Sequence, residues 1–128
     1  MVGSSLGGYY ATRVAHDTGC RAVLLNPAVN TQRDLSHYIG EHSAWHNPQE
    51  TFVFTAEHVA ELALWHCGPL LHPERLFAVV AKGDEVLDWH EMVGRYPGSH
   101  IKLLEGGDHA LSDFEQHMDE VLAFLRLA

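Results

Sequence analysis

The stretch that decides the fold is Gly3-Ser4-Ser5-Leu6-Gly7-Gly8, or GSSLGG, close to the first residue of a 128-residue chain. Its first five residues fit the pattern Gly-x-Ser-x-Gly, which is typical of a sharp turn from a strand into a helix. At such a turn Ser5 is exposed at the helix N-terminus, and the glycines let two backbone segments approach closely. The stretch therefore predicts a short strand end followed directly by a helix over 4–17.

Two other glycine-rich motifs do not fit this stretch. A phosphate-binding P-loop ends in Gly-Lys-Ser/Thr, whereas the first lysine of this chain is Lys82. The dinucleotide-binding fingerprint requires Gly-x-Gly-x-x-Gly, a spacing that Gly3, Gly7 and Gly8 do not provide. The pattern alone leaves two interpretations open, a nucleophilic serine or a tight turn in which the serine has no chemical role.

Strands and helices are predicted to alternate along the rest of the chain. Continuous apolar runs predict strands over 22–25, 76–81 and 101–104, and helical spacing predicts helices over 56–66, 88–96 and 113–127. Such alternation implies parallel strands joined by right-handed crossovers. The polar and aromatic segment of about residues 30–68 is predicted to be a helical cap insertion, with Thr55 as a helix N-cap. The fold class is therefore α/β, with three layers and a short parallel sheet flanked by helices.

Composition narrows the possible functions. Seventeen acidic and eight basic residues give a formal charge of −9, which would repel nucleic acid and anionic lipid. No apolar run approaches the roughly 20 residues of a membrane span. Cys20 and Cys67 are isolated in sequence, which favours a reducing compartment. We expect a soluble, cytoplasmic protein that binds neither nucleic acid nor membranes, and the oligomeric state stays open.

Two further polar residues follow predicted strands. Asp84 follows the predicted strand 76–81, and His109 follows the predicted strand 101–104. Each alone has an ordinary explanation, a turn residue or a surface histidine. In a parallel sheet, however, the carboxyl ends of the strands meet at one edge, and the order Ser5, Asp84, His109 is that of the α/β-hydrolase triad. Asp88 is the alternative acid, but its position favours the N-cap of the next helix.

The sequence resembles the YqiA-like esterase family of small cytoplasmic bacterial hydrolases. Five segments carry the resemblance in the same order over nearly the whole chain: VGSSLGGYYAT (2–12), LLNPAV (24–29), NPQETFVFTAEH (47–58), GDEVLD (83–88) and EGGDHAL (105–111). The resemblance implies a partial α/β-hydrolase fold and hydrolysis of acyl esters. It also implies that Ser5 is the nucleophile, Asp84 the triad acid and His109 the base.

The chemistry of these roles needs no cofactor. His109 takes the proton of Ser5 during attack on the ester carbonyl, Asp84 orients the imidazole, and water releases the acyl-enzyme. The backbone N–H of Leu6, the residue after the nucleophile, is expected to donate to the oxyanion. The same residues would serve esters, thioesters or acyl transfer, so the specificity stays open.

The substrate pocket is less well defined by the sequence. Tyr9 and Tyr10 follow the turn closely and are expected to shape the pocket. Five aromatic residues of the predicted cap could line an acyl pocket, although core packing is their more typical role: Tyr38, Trp45, Phe52, Phe54 and Trp65.

Eleven histidines raise the alternative of a metal site. His42 and His46 have i, i+4 spacing, and His66, Cys67 and His72 lie close together in sequence. No His-Glu-x-x-His pattern accompanies them, and a solvated surface explains them better. We therefore expect no metal.

The start of the chain departs from the family. Such hydrolases place a strand, a His-Gly loop with the second oxyanion donor, a helix and a further strand ahead of the nucleophile, and of these only a strand end, Met1 and Val2, precedes Ser5. We expect Met1 to be an internal methionine and residues 1–128 to be the C-terminal part of a single hydrolase domain. Because losing one such donor costs roughly 100- to 1000-fold in rate, an inactive truncated hydrolase or a pseudo-hydrolase binding domain is the alternative.

Overall fold

Strands and helices alternate along the chain in the computed structural model, which describes residues 1–36, 39–44 and 47–127. The strands are β1 (Val2–Ser4), β2 (Ala22–Leu25), β3 (Gly40–Ala44), β4 (Asn47–Phe54), β5 (Leu76–Ala81) and β6 (His100–Leu104). The α-helices are α1 (Leu6–Thr18), α2 (Thr31–Ser36), α3 (Ala56–Ala63), α4 (Trp89–Arg95) and α5 (Met118–Phe124). Two 3-10 turns, Pro73–Arg75 and Phe114–His117, precede β5 and α5.

A four-stranded parallel sheet is the framework for the predicted site. Its strand order is β1-β2-β5-β6. Val2 lies opposite Val23, Val23 opposite Phe77, and Phe77 opposite His100. Since all four strands run the same way, the loops that follow them leave the sheet at one edge. The predicted α/β class with a parallel sheet is confirmed.

Helices cover both faces of this sheet. On one face, β2 and β5 pack against α1 and α4 through buried side chains that include Ala11, Ala15, Leu24, Ala78, Val80 and Met92. On the other face, the strands pack against α5 and the loop before it through Val23, Phe77, Val79, Leu111 and Val121. Every residue of β5 is buried, as expected for a central strand of a parallel sheet. The predicted order of helix, sheet and helix layers is confirmed.

The chain divides into two compact units. The first consists of Met1–Val29 and Cys67–Ala128 and contains the parallel sheet, and the second is Asn30–His66. The second unit corresponds to most of the segment predicted as an insertion at about 30–68. Its role as a cap stays a prediction.

The second unit is not wholly helical, so this part of the prediction is wrong. Strands β3 and β4 form an antiparallel pair in which Gly40 lies opposite Phe54. The run Thr-Phe-Val-Phe at 51–54 consists only of β-branched and aromatic residues, which favour a strand. The predicted N-cap is confirmed, because the Thr55 side chain accepts from the backbone N–H of His58, whose ring accepts from the Thr55 N–H.

The predicted C-terminal helix over 113–127 is interrupted. Residues Phe114–His117 form a 3-10 turn, and α5 begins only at Met118. Because the 3-10 turn has about 3.0 residues per turn and the α-helix about 3.6, the predicted apolar stripe shifts in phase between them. Val121 is therefore buried, while Met118 is 39% exposed. Among the described ranges, no helix combines the length and the apolar composition that a membrane crossing requires.

Candidate active site

Ser5 lies at a strained turn between β1 and α1. Its backbone has φ 54° and ψ −118°, a conformation that residues other than glycine rarely adopt. The Ser5 N–H donates to the Leu25 carbonyl at 2.9 Å, and its own carbonyl accepts from the N–H groups of Gly8 at 3.0 Å and Ala28 at 2.9 Å. These bonds offset a strain of about 1–3 kcal/mol and hold the Ser5 side chain at the sheet edge.

Close backbone packing around this turn requires two glycines. A Cβ atom on Gly3 would lie 2.2 Å from the Gly7 carbonyl oxygen, and one on Gly8 would lie 2.7 Å from the Pro27 Cβ. A Cβ atom on Gly7 would meet nothing within 4 Å. The second sterically required glycine is therefore Gly8, one residue beyond the Gly-x-Ser-x-Gly pattern.

The contrast between the two neighbouring glycines predicts a stability difference. We expect Gly8→Ala to lower the free energy of unfolding by about 1–3 kcal/mol, because the new methyl group overpacks against Pro27. Gly7→Ala should instead raise it by up to about 1 kcal/mol through helix propensity. Urea unfolding of both variants measures the difference, and equal midpoints would contradict the close approach of Gly8 and Pro27.

The three predicted triad residues come together. The His109 Nε2 atom lies 2.9 Å from the Ser5 Oγ, and its Nδ1 atom lies 2.7 Å from the Asp84 Oδ2. The Asp84 side chain is fully buried and that of His109 is 21% exposed. An ionised carboxylate only accepts, so the arrangement assigns the imidazole proton to Nδ1 and leaves Nε2 to accept from the serine hydroxyl.

The loop after β5 fixes the Asp84 carboxylate. Its Oδ1 atom accepts from the backbone N–H groups of Val86 at 2.7 Å and Leu87 at 2.8 Å, which leaves Oδ2 facing His109. These bonds compensate a buried charge that would otherwise be costly. Asp88, the alternative acid, instead caps α4 by accepting from the His90 N–H at 2.8 Å.

Two residues that the sequence analysis did not assign to the site contact the loop that carries His109. The Glu85 carboxylate accepts from the His109 N–H at 3.0 Å, and the Asn26 side-chain amide donates to the carbonyls of Asp108 and His109. Ser112 donates to Asp108 from its hydroxyl and its backbone, which lowers the pKa of that carboxyl below its usual value. In the sequence, the position of Asn26 directly after a buried strand, in LLNPAV, was the available signal that it contributes to the site. For Glu85 the only such signal was its adjacency to Asp84.

The remaining predicted residues surround the turn. Leu6 is the first residue of α1, so its N–H has no intrahelical acceptor and is available as a donor. Tyr9 is 6% exposed and belongs to the core, while Tyr10 is partly buried, and the two rings meet edge to face at 6.0 Å. Their contribution to a substrate pocket stays a prediction.

The remaining predictions concern the aromatic pocket residues and the alternative of a metal site. Tyr38, Trp45 and His46 lie outside the described residues. Trp65, another predicted lining residue, is 44% exposed. Where side chains are described, no three His, Cys, Asp or Glu residues are grouped so that they could hold a metal ion.

Comparison with solved structures identifies the fold. The chain superposes on a metagenome-derived lipolytic enzyme of the LipS and LipT pair with a TM-score of 0.63 and 19% identity, covering 100% of this chain and 64% of that one. It superposes on mouse alpha/beta hydrolase domain-containing protein 10 with a TM-score of 0.53 and 18% identity, covering 94% of this chain and 61% of that one. The fold is therefore that of the α/β hydrolases.

Comparison with known sequences identifies the family. The UPF0227 protein YE1706 of Yersinia enterocolitica is 25% identical over 128 residues, and the match covers 99% of this chain and 64% of the relative. The chain thus spans less than two thirds of the relative's length. The sequence profile of the family described as "Uncharacterised protein family (UPF0227)" matches residues 1–126. With its YqiA-like motifs and its α/β-hydrolase fold, the chain belongs to the UPF0227 family.

Proposed function

We propose that this chain carries the catalytic triad of a serine hydrolase that acts on carboxylic acyl esters or thioesters. The observation that carries the proposal is the continuous hydrogen-bonded line from the Ser5 hydroxyl through His109 to the buried Asp84 carboxylate. The strained turn at Ser5 supports it, because strain of this kind clusters at functional sites. The likeness to a lipolytic enzyme supports the choice of an ester as substrate.

In the first half of the reaction, Ser5 is acylated. The Oγ atom of Ser5 attacks the acyl carbon while its proton passes to the Nε2 atom of His109. The buried Asp84 stabilises the imidazolium that results. When the tetrahedral intermediate collapses, the bond to the alcohol or thiol breaks, and the leaving group takes the proton from His109.

In the second half, water releases the acyl group. His109 takes a proton from the water, the hydroxide oxygen bonds to the acyl carbon, and the bond to Ser5 Oγ breaks. The proton returns to Ser5, and a carboxylic acid is released. Each half passes through an oxyanion, toward which the free N–H of Leu6 at the positive end of α1 would donate.

A fluorophosphonate probe tests this proposal because it reacts only with an activated serine. We expect a single adduct on the folded protein, and fragmentation of the N-terminal peptide should place it on Ser5 and not on the neighbouring Ser4. Pre-treatment with denaturant should abolish the reaction, because the contact between Ser5 and His109 depends on the fold. Absence of an adduct on the folded protein would contradict the proposal and favour a non-catalytic binding domain, and an adduct on Ser4 would contradict the assignment of the nucleophile.

A further inference from the structure

Asn26 occupies a buried and strained position at the same sheet edge as the triad. It directly follows β2, its exposed fraction is 0%, and its backbone has φ 43°. Among residues other than glycine, asparagine is one of the few that tolerate a left-handed backbone. The motif LLNPAV was part of the family resemblance, yet the proposed chemistry gives Asn26 no role.

The Asn26 side chain uses both ends of its amide. Its Oδ1 atom accepts from the N–H of Ala81, the last residue of β5, at 2.8 Å. Its Nδ2 atom donates to the carbonyl of Asp108 at 2.9 Å and to that of His109 at 3.1 Å. One buried amide therefore joins the end of β5, three residues before Asp84, to the backbone of the loop that carries the base.

The residues after Asn26 brace the turn that carries the nucleophile. The N–H of Ala28 donates to the Ser5 carbonyl at 2.9 Å. Pro27 packs so closely on Gly8 that a methyl group there would clash. Residues 26–28 thus contact the backbone of Ser5 and of His109. They also contact the end of β5, the strand that leads to Asp84.

We infer that Asn26 is a positioning residue that holds His109 in line with Ser5, an inference that rests on the proposed function. The Asn26 Nδ2 group donates to the backbone carbonyls of both Asp108 and His109. The amide therefore fixes the backbone position from which the His109 imidazole reaches Ser5. An aspartate could not donate these bonds. An apolar residue would make none of the three bonds and would leave the Ala81 N–H and the His109 carbonyl without this partner. A displacement of about 1 Å between reacting groups can cost about 100-fold in rate.

The test compares Asn26→Asp, which preserves shape but removes both donors, with Tyr96→Phe as a matched control. Tyr96 is 1% exposed, and its hydroxyl makes a buried hydrogen bond of 2.9 Å to Thr12, so its loss also removes a buried polar contact. We expect labelling of Ser5 by the fluorophosphonate to slow about 100-fold in Asn26→Asp and to stay near the wild-type rate in Tyr96→Phe.

A proton NMR measurement gives a readout that does not depend on activity. The His109 Nδ1 proton, bonded to Asp84, should give a low-field resonance in the wild-type protein and in Tyr96→Phe, and this resonance should be lost or strongly shifted in Asn26→Asp. Asn26→Gly, which suits the left-handed backbone and adds no charge, should behave like Asn26→Asp.

The possible outcomes separate the inference from the proposed function. Failure of the wild-type protein to react with the probe would contradict the proposed function, while the NMR comparison would still test the positioning of His109. Wild-type labelling rates and an unchanged resonance in folded Asn26→Asp would overturn the inference. Loss of the folded state in both Asn26 variants would assign the residue to folding and would also overturn it.

Discussion

Replacement of Ser5 by alanine is expected to lower the rate of ester hydrolysis by up to about 10⁶-fold, which is the loss typical of removing a serine nucleophile. The expected loss of rate is large because His109 and Asp84 act through the Ser5 oxygen. With no Oγ atom, His109 has no proton to take at 2.9 Å, and no acyl-enzyme can form. The measurement is kcat/KM with a short-chain chromogenic ester.

The neighbouring serine provides the matched control for this experiment. Ser4 is exposed and lies in β1 opposite Leu25. Ser4→Ala therefore removes a hydroxyl one residue away without touching the bond between Ser5 and His109, and we expect its activity to stay within a few-fold of the wild type. A Ser5→Ala variant that retained most of its activity would contradict the proposed mechanism.

The two central strands were predictable because all of their residues except the partly buried Leu25 are buried. Ala22–Leu25 and Leu76–Ala81 have the predicted bounds, since a strand covered on both faces is a continuous apolar run. The β3–β4 pair was not predicted. Its β-favouring run is short and lies among polar residues, so the whole segment was interpreted as helical. The C-terminal helix was predicted as continuous because its apolar spacing does not reveal the 3-10 turn at Phe114–His117.

The meeting of Ser5, Asp84 and His109 was predictable from parallel topology together with the serine, acid, histidine order of the α/β-hydrolase triad. Each residue follows a different strand of one parallel sheet, so its loop leaves at the shared edge. The supporting contacts were not predictable, because they join residues far apart in sequence. Asn26 and His109 are separated by 83 positions, and the clash that excludes a side chain at Gly8 comes from Pro27.

Replacement of Asp84 by asparagine is expected to lower kcat/KM by about 10⁴-fold, the loss typical of this change in a Ser-His-Asp triad. The asparagine oxygen can keep the bonds from the Val86 and Leu87 N–H groups, so the loop geometry should survive. Its NH₂ group then faces the His109 Nδ1 atom and donates to it, which forces the proton onto Nε2. In that tautomer His109 cannot accept the proton of Ser5.

Asp88→Asn is the matched control, since it makes the same chemical change four residues later. Asp88 is an exposed N-cap, and asparagine caps a helix about as well as aspartate, so both stability and kcat/KM should stay close to the wild type. Measuring kcat/KM of both variants on the same ester, together with their unfolding midpoints, distinguishes the two acids. If Asp88→Asn lost activity while Asp84→Asn kept it, the triad acid would be Asp88. An equal and small effect of both changes would instead mean that the buried contact of 2.7 Å between Asp84 and His109 does not orient the base.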